Sequence, residues 1–122
     1  MVTIVGRVGQ HAGVYIGRKH DGSMHYGNPF SHIPNVQGTI HVKSRDIACD
    51  AFIYWIEGRW EDLCAFIGGN VDRAKSIEPE RRSWIIANLR PLKDQTLLCY
   101  CAPQRCHGNY LAHLANSLPN RS

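Results

Sequence analysis

Cys99, Cys101, Cys106 and His107 place three thiols and an imidazole within a short stretch near the end of a chain of 122 residues. These side chains bind soft metals or act as nucleophiles, so the segment from Leu97 to Gly108 is the first candidate for chemistry. Alternate residues of a strand share a face, so Cys99 and Cys101 are expected to point one way, and Leu98 and Tyr100 the other. Pro103 helps to end that strand. Cys106 and His107 then stand near the start of a last helix, where free N–H groups and the helix dipole stabilise negative charge. The turn Cys106-His107-Gly108 is expected to be partly exposed.

Three chemistries fit this segment. Structural zinc takes three thiolates and an imidazole from Cys99, Cys101, Cys106 and His107, although adjacent ligands depart from the usual gap of roughly two to four residues. A thiol enzyme needs a cysteine of lowered pKa, which a helix N-terminus supplies; Cys106, with His107 or another histidine as base, has that position. Cysteines also pack as small apolar side chains, and that suits Cys99 in a buried strand.

A second candidate is the loop His25-Tyr26-Gly27-Asn28-Pro29-Phe30. Asn28 precedes proline and is pushed to extended geometry, where its amide reads a ligand or ties down the loop. Tyr26 and Phe30 either stack on a base or anchor the loop to the core. Tyr15 and Arg18 lie just upstream. The expected ligand-binding residues are Tyr15, Arg18, Tyr26, Gly27, Asn28 and Phe30, joined by Cys101 and Gly108. Cys106 and His107 are the expected catalytic pair.

Charge supports an anionic ligand. The net charge is +4. Residues 1–45 carry Arg7, Arg18, Lys19, Lys43 and Arg45 against Asp21 alone, and the remainder balances. Five of the seven histidines also lie there: His11, His20, His25, His32 and His41. A local positive field favours phosphates, nucleotides or nucleic acid. Nucleic acid is the weaker partner, because Lys and Arg form no runs and no recognition motif is present. No cofactor is expected.

The elements that must position these residues follow from periodicity. Val2–Val5 and Gly13–Gly17 read as short strands. Residues 18–34 hold Gly22, Gly27, Pro29 and Pro34 and fit no regular element. Such a long loop in a small domain is more often functional than idle. Thr39–Val42 reads as extended. Ser44 then caps a helix with Asp46 in its first turn. Ala48, Ala51, Phe52, Trp55 and Ile56 form its apolar face, and Gly58 ends it. Trp60–Ile67 reads as a short helix stopped by Gly68-Gly69-Asn70. Ser76–Pro91 reads as another, with Pro79 in its first turn. The apolar run Thr96–Cys101 predicts a strand buried on both faces and ending at Cys101. Asn109–Leu118 is the last helix, with Leu111, Leu114 and Leu118 inward.

Strands at both ends with helices between predict an α/β fold: a single small Rossmann-like domain over residues 1–122, with a mainly parallel sheet flanked by helices. Ligands collect at the carboxyl ends of such strands. The odd count of five cysteines and the absence of a signal-like start argue for reduced thiols in a cytoplasmic protein. No apolar run approaches the ~20 residues of a membrane helix, so no membrane partner is expected.

The chain resembles the bacterial and phage family known as domain of unknown function 4326. The resemblance rests on Val14-Tyr15-Ile16-Gly17-Arg18, Gly27-Asn28-Pro29-Phe30, the Ser44-Arg45 helix opening, Leu98-Cys99-Tyr100-Cys101-Ala102-Pro103 and Cys106-His107-Gly108. It departs from the family where residues 58–80 look longer and where Tyr100 replaces a common tryptophan. The resemblance implies a small α/β domain with one site built from both motifs, in the host cytoplasm if phage-encoded, and brings no activity with it. Fainter is the likeness to family 488, where Leu-Leu-Cys also precedes a Cys-His helix start. Both look like relatives of Rossmann-like nucleotide-handling folds.

Overall fold

The structure is a computed structural model that describes residues 2–10, 12–19, 21–102 and 104–119. His11, His20 and Pro103, used in reading the sequence, lie outside the described residues. It is mixed α/β, with short parallel strands in two small sheets. Strand β5 (Thr96–Cys99) lies between β1 (Ile4–Arg7) and β2 (Val14–Tyr15), parallel to both. β3 (Phe30–Ser31) and β4 (Ile40–His41) form a second parallel pair.

Among the described residues the connection from β1 to β2 contains no helix, unlike the usual parallel crossover. Gln10 N donates to Arg7 O at 3.1 Å in a turn, and the chain then passes close to the start of β5. A Cβ on Gly13 would lie 2.1 Å from the Thr96 carbonyl oxygen, so only glycine allows this approach.

Helix α1 (Arg45–Glu57) begins where Ser44 Oγ accepts from Ile47 N at 3.1 Å. It ends at Gly58, whose φ of 73° is left-handed. All five apolar residues of its expected face are buried, and Trp55 Nε1 donates to Ile77 O at 2.8 Å. Arg82 closes its last turn by donating to the carbonyls of Trp55 and Ile56, satisfying groups that a helix end leaves unpaired. Helices α2 (Trp60–Ile67), α3 (Val71–Lys75) and α4 (Pro79–Ala87) follow. Helix α5 (His107–Asn116) packs on β1, β5 and α1. Its Asn116 exchanges two hydrogen bonds with the Thr3 backbone, at 2.8 and 3.0 Å, fixing its far end to the chain before β1.

Several elements differ from the sequence reading. β1 runs Ile4–Arg7 rather than Val2–Val5, β3 lies in the stretch 18–34 that fits no regular element by its glycines and prolines, and α5 runs His107–Asn116 rather than Asn109–Leu118. α3 was not expected; its cap is Asn70, whose side chain accepts from Arg73 N at 3.0 Å. α4 is shorter than Ser76–Pro91, because Pro79 starts it and a 3-10 turn at Arg90–Leu92 follows it. β5 ends at Cys99 rather than Cys101 and is not buried on both faces. Leu97 and Cys99 are buried, Thr96 and Leu98 are half-buried, and Tyr100 is 68% exposed. The last ladder bond runs from Val8 N to Cys99 O at 3.1 Å. Beyond it β1 turns away and β5 has no partner.

Replacement of Gly13 by alanine is expected to lower unfolding free energy by on the order of 2–4 kcal/mol, because backbone must move. Gly22→Ala, where only φ resists, should cost ~1–2 kcal/mol. Urea unfolding of both variants checks this, and equal losses would refute the close approach.

Candidate functional site

A cleft of about 290 Å³ opens at the carboxyl ends of β2 and β5. Its walls come from Tyr15 to Arg18 after β2, the Asn28–Ile33 segment, the first turns of α1, and the turn from Tyr100 to Cys106. Arg18, Arg45 and Arg105 line it, and no carboxylate does among the described residues.

The three cations differ in their partners. Arg105 bonds Asp46 Oδ1 at 3.1 Å and Asp50 Oδ1 at 2.7 Å, so its charge is compensated and the turn before α5 is tied to α1. Arg18 donates from Nε to Asn28 O at 2.9 Å and from Nη2 to Phe30 O at 3.2 Å. Carbonyls accept two of its hydrogens but do not offset its charge, and burial together with nearby Arg81 lowers its pKa. Arg45 follows the Ser44 cap, and its buried Nη1 has no hydrogen-bond partner.

The thiols form a chain. Cys99 Sγ and Cys106 Sγ are 3.2 Å apart, both in buried residues. Cys106 is the N-cap of α5: its sulfur accepts from the Asn109 backbone, and Asn109 Oδ1 accepts from Cys106 N at 2.9 Å. When Cys106 is the thiolate, the Cys99 thiol donates to its sulfur, and the amides of Gly108 and Asn109 add to this. Together they hold the Cys106 pKa below that of an ordinary thiol, against the opposing effect of burial. The Cys101 thiol donates to Cys99, which would lower Cys99, but donation to Cys106 and burial prevail and raise it. Cys101 is raised by its donation to Cys99 and by burial, with Arg45 opposing. Cys49, one turn along α1 from Arg45, is pushed up to about 11 by burial.

His107 is buried, not part-exposed as expected, because the first turn of α5 is pressed against β2. Its Nε2 lies 2.9 Å from Ile16 O. A carbonyl only accepts, so Nε2 carries the hydrogen. Burial lowers its pKa to about 4, so the ring is neutral at ordinary pH. It stands edge-on to Phe52, with centroids 5.0 Å apart. Gly108 is beside it; a Cβ there would sit 2.4 Å from Ile16 Cδ1, so a larger residue would have to displace the end of that side chain.

Of the residues expected to bind ligand, Tyr15, Arg18, Asn28, Phe30 and Cys101 line the cleft together with Cys106 and His107. Tyr26, Gly27 and Gly108 do not. Tyr26 turns into the core, where its hydroxyl donates to Asn88 O at 2.7 Å and its ring meets Trp84. The Gly27 carbonyl accepts from buried Arg81. Asn28 spends its amide on the fold: Nδ2 donates to Ala48 O at 3.0 Å and Oδ1 accepts from Phe30 N at 2.9 Å. Cys49, Ser31 and His32 also line the cleft and escaped the sequence reading. So did Arg45 as a site residue, although it follows the cap Ser44 that the sequence marks. Among the described residues, no group of three or more His, Cys, Asp or Glu side chains could hold a metal ion, so the zinc reading finds no ligand set. No described helix is long and apolar enough to cross a membrane.

The family model described as domain of unknown function 4326 matches residues 5–117. The chain belongs to that family. Its matched span contains every wall of the cleft. No curated protein and no solved structure matches the chain.

The neutral state of His107 sets a pH dependence. Its folded pKa lies below the unfolded ~6.5, so the unfolded chain binds more protons between these values. Stability should therefore fall as pH drops from about 6.5 towards about 4, by up to roughly 3 kcal/mol from this group. His107→Gln keeps an N–H donor and should flatten that fall relative to wild type in urea titrations at pH 7 and pH 4. Parallel curves would contradict the assignment.

Proposed function

We propose that the cleft binds a small anionic, nucleotide-like ligand. The observation that carries this is the pairing of two uncompensated arginines, Arg18 and Arg45, with a lining free of carboxylates. A phosphate would give Arg45 Nη1 the acceptor it lacks; an unmet buried donor costs about 1–3 kcal/mol. Tyr100 and Tyr15, edge-to-face with centroids 6.1 Å apart, offer an aromatic surface for a base at the same cleft. Asn28 acts by holding Phe30 and the loop in place rather than by reading the base. The position at strand carboxyl ends is where parallel α/β sheets collect ligands.

A second reading, a thiol enzyme using Cys106, is favoured by one observation: Cys106 sulfur caps α5 and receives a hydrogen bond from Cys99. His107 would not serve as its base through Nε2, which is committed to Ile16 O.

Two measurements separate these readings. A thermal-shift series with inorganic phosphate, nucleotides and dinucleotides should show stabilisation. At a hundredfold excess over Kd the gain is roughly 2.7 kcal/mol, a Tm rise on the order of 10 °C. Arg45→Ala should abolish most of it, and no stabilisation by any of them at millimolar concentration would overturn the binding reading. Iodoacetamide labelling of Cys106 against pH should show half-maximal rate below the ~8.5 of an ordinary thiol. A profile centred at ~8.5 or above would remove the thiolate reading.

A further inference from the structure

We infer that Cys99 and Cys106 form a redox-active dithiol that exchanges with small disulfides entering through the cleft. Their sulfurs are 3.2 Å apart and need only close to the ~2.05 Å of a disulfide bond. Cys99 sits at the end of β5 and Cys106 at the cap of α5, joined by a short turn, so closure moves two element ends rather than the core. Both residues are nearly inaccessible, at 3% and 5% exposure, and both line the cleft, through which a small disulfide would reach them. The uncompensated Arg18 and Arg45 favour a disulfide that carries carboxylates.

The three cysteines divide the work. Cys106 is the attacking sulfur, held by the helix amides and the Cys99 thiol. Its thiolate attacks one sulfur of a small disulfide; the bond between the two small thiols breaks, and one leaves as a thiolate that takes a proton. Cys99 then loses its proton to solvent or to the departing thiolate and attacks the Cys106 sulfur. The mixed disulfide breaks and the second small thiol leaves. The two protein thiols have lost two electrons and two protons; one small disulfide has become two thiols. Cys101, whose thiol donates to Cys99, steadies the developing Cys99 thiolate and is not oxidised. Oxidation also weakens the α5 cap, because a disulfide sulfur accepts hydrogen bonds poorly compared with a thiolate. This inference rests on the acidity of Cys106 but needs no nucleotide, so alkylation, ligand binding and disulfide exchange can each fail separately.

The test treats fully reduced protein with glutathione disulfide, quenches in acid, alkylates the remaining thiols and measures intact and tryptic masses. Trypsin cuts after Arg105, between the two cysteines. The wild type is expected to lose two of its five alkylatable thiols without retaining glutathione, and to keep the peptides 94–105 and 106–121 joined. Cys106→Ser retains a capping hydroxyl, so the fold is kept, and should form no bridge. Cys99→Ala should stop at a glutathione adduct on Cys106. Cys101→Ser should still form the bridge, which assigns the joined peptides to Cys99. A bridge within peptide 94–105, a stable glutathione adduct on the wild type, or five intact thiols would each overturn the inference.

Discussion

β5 has a parallel partner on each side, and that constraint decides where the molecule opens. The ladder is continuous to Cys99 and stops there, because β1 turns at Arg7–Gln10 while β2 ends at Tyr15. Two strand ends are left side by side with unpaired chain above them. Everything that follows is a way of satisfying that opening. His107 spans it by donating to Ile16 O, Cys106 caps α5 against Cys99, and Arg18 gathers the loop carbonyls of Asn28 and Phe30.

These struts are polar and mostly buried, so their energetics are asymmetric. Each bond contributes modestly, but a broken one leaves a buried group without a partner. His107 illustrates this: keeping it neutral costs nothing at pH 7, and charging it in place is unfavourable. Arg45 and Arg81 are the exceptions, since Arg45 Nη1 and Arg81 Nε are buried without a hydrogen-bond partner. Surface pairs such as Arg59 with Asp62 are exposed and contribute little by comparison. Of the two buried atoms without a partner, the one on Arg45 belongs to the cleft, next to sulfurs of unequal acidity.

Much of this was legible in the sequence where local signals are strong. Ser44, Gly58 and the apolar spacing from Ala48 to Ile56 defined α1, and Trp60–Ile67 was recovered with its bounds. The parallel character of the sheet followed from strands at both ends. What local signals could not show were non-local facts. β5 reads as doubly buried because Leu98 and Tyr100 are apolar, yet no strand pairs with the chain beyond Cys99. Cys106-His107-Gly108 reads as an exposed turn, yet it is packed against Ile16, just past β2 and distant in sequence. Tyr26 and Asn28 look like ligand contacts by type, and tertiary carbonyls from Asn88 and Ala48 occupy their polar atoms instead. Arg45 was visible only as a helix opening, because its missing partner is a property of the folded cleft.

The central claim is that the cleft beside Cys99 and Cys106 is where an anionic ligand binds. Backbone amide NMR during titration with a nucleoside diphosphate examines it residue by residue. The predicted shifts concentrate in Gly17–Arg18, Phe30–Ile33, Arg45–Cys49 and Tyr100–Cys106, and saturate with a single affinity. Saturating shifts confined to a second hollow, around Ser23–His25 and Glu78–Arg81, or no saturable shifts at all, would contradict it.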